Sequence, residues 1–305
     1  MSSPLRAALA AVCLLAAGVQ TLRASTPAAP DTAPYTVYAA GDIAHCAKTP
    51  AKWSGAAETA KIVEFGLAAT PRAAVLTLGD NVYQRGTAAA HRNCYHPTWG
   101  RFKSRTWPSP GNHEYATPGA SGYFGYFGKV AGPGYYSFTL GAWRLFSLDS
   151  NLKGAAHAAQ MAWLKKELAV ATERCTLAYW HHPRYSSGGH GRVPMMRDAW
   201  ELLYQAGAEI VLSGHDHNYE RFAPQDAHDK LDTTRGIRQF VVGTGGAFLT
   251  PILWPMEHSE VRDNTRTGVL KLVLHAGRYE WEFMEADYQG FPNGAAPDRG
   301  AGQCH

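Results

Sequence analysis

The residues able to do chemistry stand in polar clusters, most of them closing a short apolar run. They are Asp42, then Asp80 with Asn81 and Tyr83, then Asn112-His113-Glu114, then His181-His182, and last His215-Asp216-His217. Together they offer carboxylate, amide, phenol and imidazole donors and no thiolate. Such donors suit zinc, iron, manganese or magnesium rather than a soft metal. The set is larger than one ion needs. Two ions sharing one carboxylate would use it well, because a shared anion offsets the repulsion of cations roughly 3.5–4 Å apart. Taken singly, the same residues have plainer uses. Asp42 alone reads as a turn or cap residue, and Tyr83 alone as packing. His215 and His217 alternate, so a strand through them would turn both to one face. The joint pattern is what points to a metal centre.

The clusters need elements to position them. Apolar runs precede them at Thr36 to Ala40, Ala73 to Leu78, Leu145 to Leu148, Thr176 to Trp180, Ile210 to Leu212 and Phe240 to Val242. Short continuous runs predict strands buried on both faces. Helical spacing lies between them, at Ala56 to Ala69, Ala158 to Thr172 and Met195 to Ala206. The alternation predicts an α/β layered fold. In open α/β sheets ligands gather at the C-terminal ends of strands, where these clusters lie. Val269 to Leu274 and Tyr279 to Met284, split by His275-Ala276-Gly277-Arg278, predict a β-hairpin. The Gly-, Tyr- and Phe-rich stretch from Gly111 to Tyr136 reads as a structured loop. Residues 35–305 read as one domain.

The ordered set Gly41-Asp42, Gly79-Asp80-Asn81-Val82-Tyr83, Gly111-Asn112-His113-Glu114, His181-x-Pro183 and Gly214-His215-Asp216-His217 resembles the calcineurin-like metallophosphoesterases. Tyr83 and the run from Gly214 to Arg221 look most like the purple acid phosphatase branch. The resemblance implies a four-layer αββα sandwich, two mixed sheets flanked by helices. It implies two metal ions, iron paired with zinc, manganese or a second iron. The first would take Asp42, Asp80, Tyr83 and His217; the second would take Asp80, Asn112, His181 and His215. His181 is preferred to its neighbour His182 because it stands two before Pro183. Asn112, His113 and His190 would face substrate, with His113 and His190 catalytic. The implied activity is hydrolysis of a small phosphate monoester through a metal-bridging hydroxide. The alternatives are a phosphodiesterase with the same ligands and a metal-containing surface protein without activity. Residues 25–34 are too few for the β-sandwich domain of plant purple phosphatases. Glu220 and Arg221 read as an ion pair, and Asp149 as a strand-end turn. Gly243-Thr244-Gly245-Gly246 lacks the Lys and helix of a nucleotide loop.

The 305 residues are 45% hydrophobic and 18% charged, which excludes a disordered chain and a coiled coil. A net charge of +4 gives no case for a nucleic-acid partner. Arg6, the apolar run Ala7 to Gly18 and small residues near Ala24 read as a signal peptide over residues 1–24, followed by a linker over 25–34. The expectation is export to the periplasm or medium, with no membrane span after cleavage. The remaining Cys46, Cys94, Cys175 and Cys304 then predict two disulfides, Cys46–Cys94 and Cys175–Cys304 being the preferred pairing. Oligomeric state is left open.

Overall fold

A computed structural model describes residues 33–47, 49–191, 194–286 and 298–305. The expected signal peptide, and all of the linker except Ala33 and Pro34, lie outside the described residues. In chain order the strands are β1 (Tyr35–Ala40), β2 (Ala73–Leu78), β3 (Thr106–Ser109), β4 (Tyr136–Leu140), β5 (Trp143–Ser147), β6 (Cys175–Tyr179) and β7 (Ile210–Ser213). They continue with β8 (Tyr219–Phe222), β9 (Arg238–Val242), β10 (Ser259–Asp263), β11 (Gly268–His275), β12 (Arg278–Glu285) and β13 (Arg299–Gln303). The main helices are α1 (Gly55–Ala69), α2 (Gly154–Val170) and α3 (Arg197–Gln205).

The strands form two sheets, ordered β13-β12-β11-β1-β2-β3 and β10-β8-β9-β7-β6-β5-β4. Both are mixed. In the first, β1, β2 and β3 run parallel and β11 to β13 add antiparallel strands. In the second, β5, β6, β7 and β9 run parallel, β4 and β8 run against them, and β10 pairs antiparallel with β8. Side-chain period explains the layers. Leu177 and Tyr179, Ile210 and Leu212, and Phe240 and Val242 join Val37, Leu76 and Leu272 in a core between the sheets. The alternate residues Ala178, Val211 and Val241 turn outward to a second core with Leu164 of α2 and Trp200 and Leu203 of α3. Helix α1 covers the first sheet with Ile62, Val63, Gly66 and Leu67 buried. The expected αββα sandwich is therefore present, and the reason is the two-faced burial of the parallel strands.

The predicted hairpin is β11–β12, paired from Gly268↔Glu285 to His275↔Arg278. The stretch from Gly111 to Tyr136 departs from expectation. It contains the helical turns Asn112–Tyr115 and Ser121–Phe127. Tyr123 and Phe127 stand four apart and both enter the core, a helical spacing hidden among glycines. Strands β4, β8, β10 and β13 carry too few consecutive apolar residues to have been predicted. Among the described residues no helix is long and apolar enough to cross a membrane.

Both disulfides have the preferred pairing, Cys46–Cys94 and Cys175–Cys304. The first ties the loop after β1 to the turn His91–Tyr95. The second joins the start of β6, in one sheet, to the residue after β13, in the other. Their sequence separations are 48 and 129 residues. Loop-closure entropy for such spans is worth about 4 and about 5 kcal/mol. Replacing Cys175 and Cys304 together by Ala should lower unfolding free energy by about 2–5 kcal/mol. Denaturant titration of the variant against the oxidised wild type checks this.

Candidate metal centre

The C-terminal ends of β1, β2 and β3 from one sheet meet those of β6, β7 and β9 from the other. Backbone hydrogen bonds stitch these ends together. Asp42 N–H donates to Gly79 O (3.1 Å), Gly214 N–H to His181 O (3.0 Å), Gly41 N–H to Val242 O (2.9 Å) and Ala247 N–H to Asp42 O (2.9 Å). Asp42, Asp80 and His215 all take left-handed backbone angles, with φ of 58°, 46° and 72°. For non-glycine residues this costs about 1–3 kcal/mol each and is characteristic of functional sites. The motif glycines have a steric reason. A Cβ on Gly111 would lie 2.1 Å from Asp80 Oδ1, and one on Gly214 would lie 2.5 Å from Asp42 Oδ2.

Two groups of donors result. In the first, Tyr83 Oη lies 2.8 Å from Asp42 Oδ1, 3.1 Å from Asp80 Oδ2 and 3.0 Å from His217 Nε2. His217 Nε2 is 3.2 Å from Asp42 Oδ1. In the second, His181 Nε2 lies 3.3 Å from Asp80 Oδ2, 3.0 Å from Asn112 Oδ1 and 3.2 Å from His215 Nδ1. Asp80 Oδ2 belongs to both. The outer atoms are held by the backbone. Asp42 Oδ2 accepts from His215 N–H (2.7 Å) and Asp80 Oδ1 from His113 N–H (2.9 Å), so each carboxylate turns its other oxygen inward. His181 Nδ1 donates to Leu78 O (2.8 Å) and His217 Nδ1 to Phe248 O (2.5 Å). A carbonyl only accepts, so both rings present Nε2 to the cluster.

This donor set fits cations. Tyr83 Oη carries one proton, yet three acceptors surround it. Neutral His181 turns a lone pair toward a carboxylate oxygen and an amide oxygen. The electrostatics agree. Burial alone would raise the Asp80 carboxyl, but His181, and His113 after it, hold it below the usual carboxylate range. Burial alone would lower the His181 imidazole, but Asp80 and then Asp42 push it up to about 10. On its own side chains the cluster recruits a proton as its cation. Two three-membered His/Asp groups, Asp42-Asp80-His181 and His181-His182-His215, have ligand atoms close enough to hold an ion. Burial, then Asp42 and Asp80, drive the Tyr83 phenol well above its ordinary value. A phenolate there requires a strongly charged neighbour.

The remaining expected residues line the rim. His113 is one-third exposed, its Nδ1 bonded to Gln84 O (2.5 Å) and its Nε2 3.8 Å from Asp80 Oδ2. His190 is exposed, its ring 4.4 Å from that of His215. His182 bonds through Nδ1 to Ser150 Oγ (2.8 Å) with its ring 4.4 Å from that of His215, and burial followed by the charge on His181 lowers it to about 3. Three expectations need correction. His215 to Asn218 is irregular backbone, not strand, because His215 is left-handed. Glu220 and Arg221 do not pair, since adjacent strand residues face opposite ways. Glu220 accepts from Ser187 and Ser259, while Arg221 pairs with Asp298. Asp149 does more than turn the chain: fully buried, it accepts from Tyr115 Oη at 2.5 Å. The run Gly243 to Gly246 packs on Gly41 and α1, with Gly245 N–H donating to Gly41 O (2.9 Å) and Thr59 to Gly245 O (2.5 Å).

Sequence reasoning missed the residues behind the cluster. Buried Glu114 accepts from Gly111 N–H (2.7 Å) and Asn81 N–H (3.0 Å), and so clamps the loops that carry Asp80 and Asn112. Burial, then Asp80, pushes its carboxyl up to about 8. Asp216 accepts from His190 N–H (2.9 Å) and holds that loop. Both stand inside motifs that were read only for their neighbours.

The raised His181 value sets a sign. In chelator its stabilisation is fully present below pH 6.5 and is lost as pH rises through about 10. A metal ion displaces that proton, so the stability gained on adding zinc or manganese should grow between pH 6 and 9. Thermal melts with and without metal across that range check it.

Comparison with known proteins follows the same lines. The sequence model of the calcineurin-like phosphoesterase family matches residues 35–219. Purple acid phosphatase 15 of Arabidopsis thaliana is 37% identical over 118 residues, covering 37% of this chain and 22% of that protein. An acid phosphatase of Aspergillus ficuum is 35% identical over 164 residues, covering 45% of this chain and 27% of that protein. The matched stretches therefore span well under two-thirds of these relatives. The solved purple acid phosphatase PPD1 of yellow lupin (Lupinus luteus) seeds superposes with a TM-score of 0.69 at 21% identity, covering 88% of this chain and 54% of that one. GAP50, the anchor in the inner membrane complex of Plasmodium, superposes at 0.65 with 14% identity, covering 89% of each chain. At such identities the likeness is one of fold. With the family match spanning more than half of its residues and every motif at a strand end, the chain belongs to the calcineurin-like phosphoesterases.

Proposed function

We propose that the protein is an exported, metal-dependent phosphomonoesterase. The observation that supports this best is the pair of donor groups meeting at Asp80 Oδ2. In this reading Asp42, Asp80, Tyr83 and His217 hold one ion, and Asp80, Asn112, His181 and His215 hold the other. Iron paired with zinc, manganese or a second iron suits the phenol and imidazoles. The ions supply Lewis-acid charge for the phosphoryl oxygens and lower the pKa of water.

The chain's own groups do the rest. Gln84 O fixes the His113 Nδ1 proton, leaving Nε2 to face the site. Protonated at Nε2, His113 would donate to a phosphoryl or leaving oxygen. His190 offers a second imidazole from the opposite rim. A dianionic monoester uses both donors, which favours it over a diester. The apolar N-terminal run and the two disulfides support export.

A second reading draws on GAP50, the anchor in the inner membrane complex of Plasmodium, which shares this fold. It would make this protein a metal-containing binding protein. Parallel assays of 4-nitrophenyl phosphate and its bis-ester separate the readings, with Asp80→Asn as control. The proposal expects monoester turnover that the variant loses by at least 100-fold. Preferred diester turnover would favour a phosphodiesterase, and no turnover by the metal-loaded protein would favour the binding role.

Tyr83 gives a spectroscopic test. With ferric iron bound, the phenolate produces a visible charge-transfer band, so purified protein is coloured and Tyr83→Phe is colourless. A colourless wild type with two bound ions per chain would exclude the iron assignment.

A further inference from the structure

Among the described residues, Phe248 combines a fixed backbone with an exposed ring. Its neighbour Ala247 donates to Asp42 O (2.9 Å), and its own carbonyl accepts from His217 Nδ1 (2.5 Å). Two residues on, Thr250 N–H donates to His217 O (3.0 Å), and His217 N–H donates to Thr250 Oγ1 (3.2 Å). The main chain is thus bolted to two members of the donor cluster. The side chain is nevertheless 61% exposed. Ligand sites combine aromatic lining with a few fixed polar groups, and Phe248 places such a ring beside this one.

Its surroundings define what it would contact. The ring centroid lies 4.7 Å from that of His217 and 6.1 Å from that of His45, the latter edge-on at 89°. His45 stands 5.7 Å from Tyr83, whose hydroxyl faces Asp42 and Asp80. Beyond Tyr83 a cavity of about 250 Å³ is lined by Ala89, Ala90 and the Cys46–Cys94 disulfide. One rim of the cluster is therefore a row of flat rings. The other, around His215, carries His182 and His190. The two rims differ in one respect: His182 and His190 stand beside His215 and His113 beside Tyr83, whereas the mostly exposed apolar ring of Phe248 stands beside His217.

We propose that Phe248 is the specificity-determining residue of this site, its ring forming the platform for the flat aromatic substituent of a phosphate ester. The inference rests on the phosphoesterase reading and names its substrate class. Ring-on-ring contact adds roughly two- to tenfold in affinity beyond simple area burial. An alkyl or polyol ester would gain little from the platform.

Binding separates this inference from the parent reading, because aryl and alkyl esters also differ in leaving-group chemistry. Phenylphosphonate and methylphosphonate are titrated calorimetrically into the metal-loaded full chain. The wild type should prefer the phenyl probe. Phe248→Ala keeps the carbonyl that orients His217, so it should weaken phenylphosphonate about tenfold and change methylphosphonate by less than twofold. Phe248→Trp should restore the preference. Equal weakening of both probes would make Phe248 a positioning residue for His217 and overturn the inference. So would a phenyl preference that survives in Phe248→Ala, or a wild type without one. If the binding pattern holds but neither 4-nitrophenyl phosphate nor glycerol phosphate is hydrolysed, the catalytic reading fails and the platform stands.

Discussion

The structure depends on one buried charge. Asp80 is 2% exposed, and an isolated carboxylate there would cost several kcal/mol. It is tolerated because each oxygen is committed. Oδ1 takes the His113 N–H, and Oδ2 faces Tyr83 on one side and His181 on the other. Those partners come from both sheets. The first sheet supplies Asp42, Asp80 and Asn112 from the ends of β1, β2 and β3. The second supplies His181, His215 and His217 from the ends of β6 and β7 and the segment that follows. The core between the sheets serves to hold two sets of strand ends at hydrogen-bonding distance.

This constraint explains local features that are otherwise unfavourable. Asp42, Asp80 and His215 carry left-handed backbones, and Gly111 and Gly214 leave no room for a Cβ. Each is unfavourable locally and is held by the stitched loops around it. Glu114 extends the pattern. It buries a second carboxylate close to Asp80, with burial pushing its pKa up to about 8, and it keeps three backbone N–H groups in place. The stability of the layered core, reinforced by the Cys175–Cys304 bridge between the sheets, is what permits this concentration of strain and charge.

Much of this was legible in the sequence because the relevant signals are local. Ala73 to Leu78 is apolar without interruption since both faces of β2 are buried, and such a run ending in Gly-Asp announces its own C-terminal end. The layered fold followed from the alternation of these runs with helical spacing. What escaped depends on tertiary contacts. The edge strands β10 and β13 mix polar and small residues because one face meets solvent. The helix Ser121–Phe127 is masked by glycines, and its Tyr123 and Phe127 show their spacing only once the core is known. Glu220 and Arg221 look like a pair in one dimension and point opposite ways in three. Phe248 carried no signal at all: one aromatic residue after a glycine run means nothing until Asp42 and His217 are seen to grip its backbone.

The central claim is that one carboxylate serves two ions. Metal content of the purified protein, measured by inductively coupled plasma mass spectrometry for wild type and Asp80→Asn, tests it most directly. A shared ligand predicts about two ions per chain in the wild type and loss of both in the variant. Circular dichroism confirms that the variant is folded. A folded Asp80→Asn that keeps one ion firmly bound, or a wild type that binds only one, would contradict the account.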